Sequence, residues 1–65
     1  MEYKENIETA IKTLEALVKK MADSREEIAE NRIEKASESL NYIEAELQKL
    51  AGEVAQLKFK IENKD

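Results

Sequence analysis

The residues of this chain that could do chemistry are almost all charged. Arg25, Arg32 and Lys35 are close in sequence, and Arg25 and Arg32 are seven residues apart, which on an unbroken helix places them on one face. Guanidinium groups so placed suit bidentate contacts to a phosphate. The competing reading is that they pair with neighbouring glutamates. Glu26, Glu30, Glu34 and Glu38 recur every four residues and would stack as a carboxylate ladder on a continuous helix. Such a ladder offers the oxygen ligands a hard cation prefers. Known helical carboxylate sites, however, add a histidine three residues after a glutamate. The chain has no histidine and no cysteine, so neither that arrangement nor a zinc or thiolate centre can form. The hydroxyls of Thr9, Thr13, Ser24, Ser37 and Ser39 have no imidazole to activate them. There is no glycine-rich loop to hold a phosphate, and carboxylates on an open helix face lack the desolvated pocket that would tune one of them. The residues therefore point to a protein that is not an enzyme and carries no cofactor or metal.

The elements that must position these side chains follow from composition. Hydrophobic residues make up 42 % and charged residues 40 %, with one glycine (Gly52) and no proline. A chain rich in Ala, Glu, Lys and Leu with so few breakers is expected to be all helical. No apolar run is long enough to cross a membrane, and no signal-peptide pattern is present, so a cytoplasmic location is expected. The net charge of −4 and the lack of a basic stripe argue against binding long nucleic acid. At 65 residues the chain is one domain. A core of that size seldom contributes more than about 3–5 kcal/mol, and disulfides and metals are not there to help, so self-association is the default expectation.

Two apolar seams run along the sequence. Ile7, Ile11, Leu14, Val18 and Met21 are spaced 4, 3, 4, 3, with Ala10 and Leu17 widening the stripe beyond what one neighbour needs. Farther on, Ile33, Leu40, Leu47, Val54 and Ile61 recur every seven residues, and Ala36, Ile43, Leu50 and Leu57 fill the alternate position. This second seam predicts a left-handed supercoil. The two seams are out of register, because the first frame continued from Ile28 predicts an apolar residue where Arg32 stands. The preferred break is at 22–24, where Ser24 and Glu27 read as a capping box opening a new helix. A turn at Asn31, a residue that tolerates the left-handed conformation, and one continuous helix are the alternatives.

The preferred break gives helix one over about 2–22 and helix two over about 25–63, near 30 Å and 60 Å at 1.5 Å per residue. Such a short first helix would leave the far half of the second uncovered. The expected architecture is a helical hairpin that assembles into a homo-oligomeric bundle or coiled coil through Ile33, Leu40, Ile43, Leu47, Leu50, Val54, Leu57 and Ile61. A turn at Asn31 would give arms of nearly equal length. A second face on helix two carries Tyr42, Ala45, Lys49, Gly52, Gln56 and Phe59 at spacings of 3 and 4. It reads either as a second contact surface, with Ala45 and Gly52 allowing close approach and Tyr42 and Phe59 at its ends, or as a solvated face with two isolated aromatics.

Residues 29–37, Ala-Glu-Asn-Arg-Ile-Glu-Lys-Ala-Ser, resemble the second-helix motif of the small helical-hairpin sponges with which phages sequester cyclic-nucleotide immune signals (anti-CBASS proteins). That motif runs Ala-x-Thr-Lys-Leu-x-Glu-Ala and then an aromatic three residues on. Ala29 and Ala36 match it, Arg32 and Ile33 replace Lys and Leu, Asn31 stands for Thr, and Ser39 stands where the aromatic would be. Ser24-Arg25-Glu26 is also similar to the helix start of that family. The resemblance covers about 15 residues. It implies an obligate helical oligomer holding a small nucleotide between subunits, with Arg25, Asn31 and Arg32 as the positions to test.

Two functions are expected from this reading. The first is a non-catalytic, homo-oligomeric helical interaction module whose partner is another copy of itself, with a further helical protein on its second face. The second is an oligomeric sponge for a small phosphorylated ligand.

Overall fold

In the computed structural model, which describes residues 2–63, two antiparallel helices form a hairpin measuring 53 × 16 × 10 Å. Helix α1 spans Glu2–Ala29 and helix α2 spans Ile33–Glu62. The hairpin predicted from the seams is therefore present, but the turn is not at Ser24. The arms have nearly equal lengths of 28 and 30 residues, so the expected short first helix and overhanging second helix are both corrected.

The local chemistry explains the shift. Residues 22–29 contain no proline or glycine, and the run is rich in good helix formers, so α1 passes through Ser24 without interruption. Ser24 Oγ donates to the Lys20 carbonyl at 3.2 Å, the back-bond by which a serine is accommodated inside a helix. It caps nothing. Asn31 is what stops α1. Its φ of 63° is the only positive value at a non-glycine residue among those described. The Asn31 N–H donates to the Ile28 carbonyl at 3.0 Å, and the Arg32 N–H donates to the Glu27 carbonyl at 2.7 Å. Together they form a Schellman motif, which satisfies carbonyls that a helix end otherwise orphans. The break in register between Ile28 and Ile33 is this turn itself.

The helices meet along a narrow seam. Leu17, Ala36, Ile43 and Leu50 are its buried apolar residues. Ala10, Thr13 and Leu57 are half-buried along the same line. Near the turn the seam becomes polar. Ser24, Glu27 and Ser39 are buried, and Ser39 Oγ donates to Glu27 Oε1 at 3.1 Å across the two helices. Small residues at Ala36 and Ser39 let the helices approach closely just beyond a three-residue connection. The closed end is thus set by short side chains and one hydrogen bond rather than by large apolar groups.

Candidate assembly face

Closing the hairpin with the alternate positions leaves the main stripes uncovered. On α1, Ile7, Ile11, Leu14, Val18, Met21 and Ile28 are 45–68 % exposed. On α2, the strict heptad set Ile33, Leu40, Leu47, Val54 and Ile61 is 41–56 % exposed. The two stripes lie side by side. Leu14, Val18 and Met21 line one shallow hollow of about 450 Å³ together with Leu47. Ile7, Ile11 and Leu14 line a second, of about 460 Å³, together with Val54 and Ile61. Leu14 belongs to both, so the hollows form one continuous apolar face along the hairpin.

These eleven aliphatic side chains, each roughly half exposed, leave on the order of 900 Å² of apolar surface open. That exceeds the largest patch of a typical monomer, about 300–600 Å². It matches the roughly 800 Å² that one partner contributes to a standard protein interface. Against this, the buried apolar core within the chain consists of four residues among those described.

The interface positions expected from the sequence divide into two groups. Ile43 and Leu50 are buried inside the hairpin and Leu57 is half-buried there, so these three close the chain on itself. Ile33, Leu40, Leu47, Val54 and Ile61 stay on the open face. Beside the α1 stripe, the flanking residues Leu17 and Ala10 are buried and half-buried against α2. The sequence signal for this was the width of the stripe, which suits more than one neighbour. Nothing in the spacing points to the buried Glu27–Ser39 contact, because Glu27 has the letters of a capping box with Ser24.

The second face of α2 lies away from both the seam and the apolar stripe. Tyr42 is 53 % exposed, with Lys20 Nζ 5.6 Å from its ring centroid, a cation–π contact across the helices. Phe59 is 66 % exposed, Ala45 is exposed, and a Cβ added at Gly52 would meet nothing within 4 Å.

The positions implied for a ligand fall on both sides of the turn. The turn separates Arg25 on α1 from Arg32 and Lys35, so the arginines do not share a helix face. Arg32 Nη2 donates to Glu30 Oε1, the glutamate pairing weighed against the phosphate reading, while Asn31 forms the turn. Arg25 borders the first apolar hollow beside Met21 and Ala22. The nine-residue stretch that resembles a second-helix motif straddles the turn, with residues 30–32 outside both helices. The same turn divides the carboxylate ladder, leaving Glu26 on α1 and Glu34 and Glu38 on α2. No helix of the described residues is long and apolar enough to cross a membrane. The chain matches no protein-family model, no curated protein and no solved structure.

Proposed function

We propose that the protein is a non-catalytic interaction module that assembles with copies of itself through the apolar face shared by α1 and α2. The observation that carries this reading is the continuous stripe from Ile7 to Ile28 and from Ile33 to Ile61, left open along the length of the hairpin. A two-helix hairpin has a narrow core, and this one closes on four buried apolar residues among those described. Covering the open face at about 25 cal/mol per Å² provides a gross drive on the order of 20 kcal/mol per copy, above the roughly 4–15 kcal/mol cost of association. A bundle of at least four helices then supplies the core that one chain lacks.

Absolute mass in solution, measured by light scattering after gel filtration over a tenfold concentration range, tests the proposal. A discrete oligomer is expected, with a melting temperature that rises with concentration. A stable monomer with a concentration-independent melting temperature would overturn it. The same samples titrated with cyclic di- and trinucleotides test the sponge reading, for which no arrangement of Arg25, Asn31, Arg32 and Lys35 gives specific support. No change in melting temperature is expected.

A further inference from the structure

We infer that the second copy lies in reverse on the apolar face, closed end over open end, giving an antiparallel four-helix bundle of two hairpins. The inference rests on the self-assembly reading and adds its orientation.

The occupant follows from area and charge. The open face is as large as one partner's share of a standard interface, and a twofold pairing buries the same face on both copies. The hairpin is unevenly charged along its long axis. Around the turn, from Asp23 to Leu40, three cationic residues stand against six acidic ones. At the open end, Lys4, Lys12, Lys58 and Lys60 stand against Glu2, Glu5, Glu8, Glu53 and Glu62, a near balance. Pairing the copies in the same direction would stack one acidic end on another. Reversal places each acidic end over a nearly neutral one.

Arg25 sharpens the choice. It falls in the α1 stripe between Met21 and Ile28 and borders the closed-end hollow. In a same-direction dimer, twofold symmetry would bring it to the level of its own copy inside the interface. In the reversed dimer it faces the rim of the open-end hollow, which carries both Lys58 and Glu62. A lone ion in an apolar seam is a known means of selecting one register over another.

Spin-label distances decide the orientation. The native chain has no cysteine, so Glu38→Cys and Thr9→Cys each give a single labelling site, both exposed and on helix faces away from the apolar stripe. A 30-residue helix rises about 45 Å. Glu38 is near the closed end, and Thr9 near the open end. In the reversed bundle, two Glu38 labels are offset along the axis by about 30 Å and those of a mixed Glu38/Thr9 dimer by less than about 10 Å, at 1.5 Å per residue, so the mixed pair is expected at the shorter distance. The inverse pattern in a sample of dimer mass would overturn the orientation while leaving self-assembly standing. A monomeric mass would instead overturn the assembly reading itself, and a larger assembly with short distances at both sites would overturn the two-hairpin bundle. Arg25→Leu alone leaves the closed end more acidic, so the reversed pattern is expected to persist, and both patterns are expected only when Glu26, Glu30 and Glu34 are also changed to Gln. A single unchanged pattern in the combined variant would show that neither Arg25 nor the acidic end selects the orientation.

Discussion

Leu47 and Leu50 are one helical turn apart on α2, yet the structure gives them different roles, and this separates a solvated stripe from an interface. Leu50 is 6 % exposed inside the hairpin, whereas Leu47 is 43 % exposed on the open face. If the hairpin were the whole folded unit, Leu47→Ala would remove apolar surface that already faces water, and its effect would stay within about 0.5 kcal/mol. In the assembled bundle, the same change withdraws on the order of 80 Å² of apolar contact per copy. At about 25 cal/mol per Å² that is roughly 2 kcal/mol per copy and, by symmetry, roughly 4 kcal/mol per dimer. The dissociation constant should therefore rise on the order of a thousandfold. Sedimentation equilibrium at several concentrations reads this directly. Leu50→Ala is the control, since it should destabilise the hairpin itself by about 2–5 kcal/mol at every concentration. If Leu47→Ala leaves both the mass and the melting temperature of the wild type unchanged, the open stripe is solvent-facing and the reasoning from it fails.

Other substitutions test the local readings. Asn31→Gly should raise the melting temperature, because glycine adopts the left-handed conformation without steric cost, while Asn31→Val should destabilise by about 1–2 kcal/mol. Ser24→Ala should be nearly neutral in thermal unfolding, since Ser24 only back-bonds to Lys20; a loss of about 1 kcal/mol would instead indicate a helix cap. Ser39→Ala removes the hydrogen-bond donor to the buried Glu27 carboxylate and should cost about 1–3 kcal/mol in chemical denaturation, with much of the loss recovered by adding Glu27→Leu. Gly52→Ala should stabilise by about 1 kcal/mol with no change in mass, because the added methyl meets open space. A change in mass would show instead that the Tyr42–Phe59 face is also used.

Much of the architecture was legible in the sequence. Helix content followed from composition and the near absence of breakers, and the two apolar periods followed from spacing alone. The hairpin followed from the register break between them. The turn position was harder to read. Ser24 with Glu27 has the letters of a helix start, but a serine also fits inside a helix by bonding back to a carbonyl. The decision lay with Asn31, whose left-handed φ lets two main-chain hydrogen bonds close α1, and such a motif leaves only a weak trace in side-chain identities.

The division of labour within the stripes was decided by tertiary structure alone. A heptad pattern says which residues leave water, not whether they meet their own chain or another. Ala36, Ile43 and Leu50 were as plausible on the outer interface as Leu40, Leu47 and Val54. Once the turn closed at Asn31 and Ser39 met Glu27, the helices approached along the line with the smaller side chains near the turn. The wider set of isoleucines, leucines and valines was turned outward. The candidate ligand residues were separated by the same event, because a face drawn through Arg25 and Arg32 exists only on a helix that does not turn between them. Periodicity is a property of one helix and can be read from one sequence. The direction each face points depends on how two helices pack, and that was settled by a three-residue turn and one buried hydrogen bond.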